Sequence, residues 1–170
     1  MLTASRIIEL LHLEPLPVEG GYFCETYRAA ETLDRPALPG RYEGTRSFGT
    51  AIYYFLYGEH FSAFHRLRTD EVYHFYLGQP VELVLLSPDG AATTHWLGDD
   101  LEAGQRPQAT VPRGVWQGLR LAQPNPESFA LLGTTMAPGF DPADFELGDR
   151  QLLLASHPHQ ASEIIALTRQ

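Results

Sequence analysis

FSAFHRLRTDEVYHFYLG, residues 61–78, is the stretch on which the reading of this chain turns. It is rich in aromatic and β-branched residues and is interrupted by the polar triplet Arg68-Thr69-Asp70, the pattern of a β-hairpin. Side chains alternate along a strand. His65 and Leu67 therefore share one face with Ala63, Glu71 and Tyr73 share one in the next strand, and so do Phe75 and Leu77. His74 is turned away from Glu71 unless a bulge intervenes. The hairpin thus points an imidazole and a carboxylate toward the same interior. That pair is either part of a metal site or a polar anchor for a small ligand.

Outward from the hairpin, apolar runs of similar length alternate with turn signals. Strands are expected near 46–57, 61–67, 71–77, 81–87, 92–97, 108–112, 115–121 and 128–136, with Gly, Pro, Asn and Asp at the breaks. Short strands at this spacing indicate an all-β sandwich or barrel. Before them, Thr3 to Leu13 carries apolar residues at helical spacing behind a Thr or Ser cap and stops at Pro15 and Pro17, so a short amphipathic helix is expected. Gly20-Gly21 opens a strand-like run, YFCETYRA, and 32–44 has the composition of an exposed loop. After Pro138, two short helices are expected near 141–145 and 162–168, packed outside the barrel. There is no internal repeat or long linker, and residues 1–170 read as a single domain.

The 170 residues carry a net charge of −9, with 21 acidic and 12 basic side chains. Phosphate backbones are bound by clustered Lys and Arg, and no basic run is present, so no nucleic-acid partner is expected. No apolar stretch approaches the roughly 20 residues of a membrane span. The N-terminus has neither a basic n-region nor a cleavage site, and the single cysteine, Cys24, cannot form an internal disulfide. A cytoplasmic protein with no membrane partner is expected.

Downstream, VPRGVWQGLRL (111–121) has the form Pro-x-Gly-x-x-Gln, which turns a corner and sets Gln117, Leu119 and Leu121 on one face. With this second element the chain resembles the cupin superfamily, whose first motif carries His-x-His, a Glu and a closing Gly, and whose second carries Pro-x-Gly-x-x-His. His65, Glu71 and Gly78 match the first motif and Pro112 and Gly114 the second, while Leu67 and Gln117 stand where histidines are usual. The likeness is closest to a branch of uncharacterised single-domain cupins, through EGGYFCETYR (19–28), residues 51–90, RPQATVPRGVWQ (106–117) and APGFDPADFEL (137–147). The resemblance implies a double-stranded β-helix, or jelly-roll barrel, with a short N-terminal helix and short C-terminal helices. It also implies homodimerisation and a pocket at the motif positions.

Three chemistries compete at that pocket. A metal would have only His65, Glu71 and the weak amide oxygen of Gln117, so no tightly bound metal or other cofactor is expected. Acid–base catalysis would use His65, with Tyr73 or Tyr54 as the complementary acid. Cupin sugar-nucleotide epimerases use a pocket histidine in this way, so the alternative reading is a sugar- or sugar-nucleotide-type isomerase or epimerase with His65 as acid or base, or a metal-dependent cupin enzyme. Simple binding would hold a small-molecule ligand among His65, Glu71, Tyr73, Phe75, Gln117 and Tyr54. Cys24 and Trp116 are expected to pack, His157-Pro158-His159 to be a solvated loop, and Gly20-Gly21 to be no phosphate cradle because a strand follows it. Val72, His74 and Tyr76 would face outward and form the homodimer contact.

Overall fold

The computed structural model describes residues 2–169. Thirteen strands follow one another: β1 Glu14–Pro15, β2 Tyr22–Arg28, β3 Thr32–Leu33, β4 Arg46–Ser47, β5 Thr50–Tyr57, β6 Phe61–Leu67, β7 Glu71–Gly78, β8 Val81–Leu86, β9 Ala92–Leu97, β10 Gln108–Val111, β11 Trp116–Leu121, β12 Phe129–Met136 and β13 Phe145–Leu147. They form a sheet ordered β1-β2-β5-β12-β7-β10, a facing sheet ordered β13-β6-β11-β8-β9, and the small pair β3-β4. All named pairings are antiparallel, and the chain passes repeatedly between the two sheets, giving the expected jelly-roll barrel.

The apolar runs divide by alternation into three packed layers. Tyr54, Leu56, Tyr73, Leu83, Leu85, Leu119 and Leu132 fill the space between the sheets. The intervening residues of β5 and β12, Phe55 and Leu131, face outward beneath the N-terminal helix α1 (Ala4–Leu10), meeting Ile7 and Leu13. Those of β8, Val84 and Leu86, face outward beneath the C-terminal helices α2 (Arg150–Ser156) and α3 (Ala161–Ala166), meeting Leu153, Ile164 and Leu167. β8 is apolar on both faces because both faces are covered. Thr3 caps α1, its hydroxyl accepting from the Arg6 amide, and the helix ends at Leu10, short of the expected Leu13.

Other expectations need correction. The expected strand at 46–57 is broken by Phe48-Gly49 into β4 and β5. Residues 32–44 are not simply an exposed loop, because Leu38 and Tyr42 are buried. The Tyr42 hydroxyl bonds the Thr69 hydroxyl at 2.8 Å, tying this segment to the tip of the β6–β7 hairpin. The expected helix at 141–145 is one 3₁₀ turn, Pro142–Asp144, which passes directly into β13. α2 was not expected. His157, its C-cap, is buried instead of solvated, with Nε2 2.9 Å from the Ser87 carbonyl and Nδ1 2.9 Å from the Ser156 hydroxyl. Leu77 does not share the inward face of Phe75. A bulge at Tyr76 shifts the β7–β12 register, so that Leu77 is exposed.

Residues 137–147 form a strap across one mouth of the barrel, held by a buried ion pair. Arg46 donates Nε and Nη2 to the two carboxylate oxygens of Asp144, both at 2.7 Å, with both side chains almost fully shielded from water. Removing one partner strands the other charge in the interior. We predict that Asp144→Ala lowers the unfolding free energy in urea by about 3–5 kcal/mol. The double change Arg46→Met with Asp144→Leu is expected to lose clearly less. An Asp144→Ala effect under about 1 kcal/mol would mean that the pair is solvated and does not hold the strap.

Candidate functional site

β6 positions the site through an irregularity. Against β11 its register jumps from His65↔Gln117 to Ser62↔Leu119, leaving Ala63 and Phe64 opposite Gly118 alone. This bulge places Ser62 and His65 on the same inner face although they are three residues apart, while Phe64 packs outward with the C-terminal helices. The displaced backbone finds other partners: Ala63 N–H donates to the Glu19 carbonyl at 2.8 Å, and Phe64 N–H to the Leu167 carbonyl at 2.7 Å. The Ala63 carbonyl accepts from His65 Nδ1 at 2.9 Å. A carbonyl can only accept, so the neutral ring carries its proton on Nδ1 and its lone pair on Nε2.

Nε2 lies 3.9 Å from Glu19 Oε2, and Glu19 Oε1 accepts from the Ser62 hydroxyl at 2.8 Å. Glu19 was not among the expected site residues. It precedes Gly20-Gly21, both of which have positive φ (108° and 76°). A side chain on Gly20 would meet the Phe61 carbonyl, and one on Gly21 would meet the Phe55 carbonyl and the Tyr54 hydroxyl, so only glycine fits this turn. The Glu-Gly-Gly sequence ahead of β2 was the available signal. Tyr54 completes the turn, its hydroxyl donating to the Gly20 carbonyl at 2.8 Å.

Glu71, at the start of β7, accepts from Gln117 Nε2 at 2.8 Å, while Gln117 Oε1 is buried without a partner. Burial pushes the Glu71 carboxyl above the usual carboxylate range. A positive charge on His65 would work against that shift and the charge of Glu19 adds to it, while hydrogen bonds from Thr134 and Gln117 favour the ionised form. Burial likewise pushes the phenols of Tyr73 and Tyr54 well above their usual value, with Glu71 the next influence on Tyr73 and Glu19 on Tyr54.

Glu19, His65 and Glu71 floor a cavity of about 320 Å³ whose walls are largely apolar, with Leu16, Phe23, Ile52, Leu67, Met136 and Phe145 among them. Phe145 stacks on the His65 ring, with centroids 5.2 Å apart and planes inclined by 20°. Of the expected ligand-binding residues, His65 and Glu71 line the cavity. Gln117 lies one layer deeper, behind Glu71, and Tyr54, Tyr73 and Phe75 belong to the inter-sheet core. They face inward as alternation required, but at a depth where they support the site instead of lining it. Glu19, Glu25, Thr134 and Phe145 line the cavity in their stead. No lysine or arginine lines it.

The same geometry bears on a metal. Among the described residues, no three His, Cys, Asp or Glu side chains are placed to share one ion. Leu67 contributes only methyl groups, and the Gln117 amide turns its N–H₂ toward Glu71. A single imidazole with this company does not fit a tightly held transition metal. Cys24 is half-buried at the edge of the cluster under α1, and Trp116 packs beneath the Arg66 guanidinium, both as expected. No helix among the described residues is long and apolar enough to cross a membrane.

Comparison with known proteins places this geometry in a family. The chain is 32% identical over 159 residues to the uncharacterized protein YML079W of Saccharomyces cerevisiae, covering 88% of this chain and 78% of that one. The crystal structure of protein SO0799 from Shewanella oneidensis superposes with a TM-score of 0.86 at 37% identity, covering 99% of both chains. A hypothetical protein from Leishmania major superposes with a TM-score of 0.87 at 27% identity, covering 99% of this chain and 100% of that one. Residues 5–148 match the family model described as Cupin superfamily (DUF985), and the chain belongs to that family, Cupin_5.

Proposed function

We propose that this cupin binds a small organic molecule in the cavity floored by Glu19, His65 and Glu71, without a tightly held metal. The observation that carries the reading is the imbalance of hydrogen-bonding groups. Glu19 Oε2 and His65 Nε2 accept, the Nδ1 proton of His65 is already spent on Ala63, and no Lys or Arg lines the cavity. Buried acceptors need donors. The fitting ligand is therefore a compact, largely apolar molecule bearing hydroxyl or ammonium groups, with the phenyl rings of Phe23, Phe140 and Phe145 around its body.

A second reading, isomerisation or epimerisation, is favoured by the fixed tautomer of His65. Its lone pair is held on the cavity side, where it can take a proton from a bound carbon acid. Tyr54 and Tyr73 make poor acids here, since both phenols are buried and Tyr54 is committed to Gly20. Glu71, whose carboxyl burial keeps toward the neutral form, is the better complementary group.

We further propose a homodimer through the outer face of β7, where Tyr76 is half exposed and lies edge-on to Tyr53 with centroids 6.0 Å apart. His74 and Val72 continue this face, and His74 Nε2 is 3.0 Å from the Thr135 hydroxyl.

A panel of amines and polyols screened by ligand-observed NMR tests the first reading. Binders are expected, and His65→Ala and Glu19→Gln should each weaken them by about 1–3 kcal/mol. Binders indifferent to both changes would place the ligand elsewhere. For binders with a C–H beside a carbonyl, the catalytic reading predicts deuterium uptake from D₂O that falls ~10²–10⁴-fold in His65→Asn while affinity changes little. No uptake in the unaltered protein leaves binding alone.

Glu71 gives a pH test. Its raised folded-state pKa means that the unfolded chain ionises first, so stability declines as pH rises from about 4.3 through the folded pKa, and the loss is complete above it. Glu71→Gln lacks this decline. The unfolding free energy of the variant minus that of the natural protein should therefore rise across that window, and parallel pH curves would show that Glu71 is well solvated. Sedimentation velocity tests the dimer: a species of twice 19.0 kDa is expected, with Tyr76→Glu shifting it to the monomer.

A further inference from the structure

On the outer side of Leu67 and Phe145 lies a second and wider concavity, about 560 Å³, and these two residues line both spaces. Its character is opposite to that of the inner cavity. Arg41, Arg66, Arg68 and Arg113 all line it. The chain has only 12 basic residues, every one an arginine, against 21 acidic ones. One third of its positive charge is therefore gathered in a single groove of an acidic protein.

These guanidinium groups are held in place without being used up. Arg41 lies 4.6 Å over the Tyr42 ring, donating Nε to the Arg68 carbonyl and Nη2 to the Tyr42 hydroxyl. Arg66 lies 4.4 Å over the Trp116 ring and donates Nε and Nη2 to Glu146. Arg68 donates Nη1 to the Arg41 carbonyl and to Glu43. The Arg113 head makes no hydrogen bond, its nearest carboxylate being Asp70 at 3.8 Å. Among the described residues, Nη1 of Arg41, Nη1 of Arg66, Nη2 of Arg68 and the whole Arg113 head are thus left without acceptors. The acidic lining does not cancel them. Asp144 is fully engaged by Arg46, and Glu146 meets only one edge of Arg66. Glu43 and Asp70 are solvated partners that an anion with higher charge density displaces at little cost.

We propose that this groove binds a phosphoryl-bearing small anion. A planar carboxylate is satisfied by one guanidinium fork, whereas a tetrahedral dianion takes N–H donors arriving from several directions. Here they arrive from three separate segments, around Arg41, Arg66–Arg68 and Arg113. The volume exceeds that of one phosphoryl group, leaving room for the body of the molecule. The stacking on Tyr42 and Trp116 lowers the ordering cost of binding. The site does not depend on the inner cavity being filled. A ligand long enough to pass Phe145 would occupy both.

Calorimetric titration of inorganic pyrophosphate into the protein at low salt tests this. One saturable site per chain is expected, weakened by added salt. Arg113→Ala and Arg41→Ala should each reduce affinity by roughly fivefold to tenfold, and Arg113→Lys by less. Arg113→Ala removes no internal hydrogen bond of the guanidinium, and an unchanged urea unfolding curve for this variant separates lost binding from lost fold. Arg106→Ala, in the turn before β10 and outside the groove, should change nothing. Absence of saturable binding, or equal loss in Arg106→Ala, overturns the site. Malonate binding as tightly as pyrophosphate overturns its preference for phosphoryl groups.

Discussion

The bulge in β6 is the constraint on which the site depends. Two residues, Ala63 and Phe64, stand where a regular ladder would hold one, opposite a glycine whose lack of a side chain admits Phe64 and Leu167. The consequences run in both directions through the sheet. Inward, Ser62 and His65 come onto one face and both reach Glu19, while the freed Ala63 carbonyl sets the tautomer of the imidazole. Outward, Phe64 becomes an anchor for α2 and α3, and its amide ties β6 to the last turn of α3. A regular β6 would turn Ser62 away from His65 and offer the ring no local acceptor. The bulge thus couples the tautomer of the imidazole to the packing of the C-terminal helices on the opposite face.

The strands and their faces were legible in the sequence because β-structure writes itself with a period of two, and nearly every run was bounded by Gly, Pro, Asn or Asp. Alternation assigns a face but not a depth. Tyr54, Tyr73 and Gln117 point inward, yet neighbouring side chains lie between them and the cavity. Bulges were not legible, since an extra residue leaves no mark on composition. That is why Leu77 was expected inside, and why Ser62 was not recognised as a partner for the site. Glu19 and Phe145 reach the cavity from a turn and a three-residue strand, elements too short to carry any period. The strap was misread for a related reason. Asp141-Pro142 looks like a helix start, and locally it is one, but the Arg46–Asp144 pair pulls the chain into an edge strand after a single turn.

That ion pair places more than the strap. Asp144 immediately precedes Phe145, so the position of the ring over His65 is set by a charge interaction 98 residues apart in sequence. Phe145 is then the partition between two unlike environments. On its inner side the ionisable groups are Glu19, Glu25, Glu71 and His65, with no arginine or lysine among them. On its outer side four guanidinium groups line the space, with Asp144 and Glu146 beside them. Four of the chain's twelve arginines line the outer space and none the inner one.

The departures from the usual cupin ligand pattern gain meaning in this setting. Leu67, where a histidine is usual, lines both spaces, so its methyl groups form part of the wall that keeps them distinct. An imidazole there would put a polar ring into that wall and return the inner site toward metal chemistry. Gln117, also where a histidine is usual, uses its amide nitrogen to hold Glu71 and leaves its oxygen unpaired. A histidine could hold Glu71 through one ring nitrogen, but it would present the other to the same space as a strong metal donor. The amide keeps the carboxylate in place without building a metal site. Both exchanges act the same way, each removing a ring nitrogen that could help fix a cation.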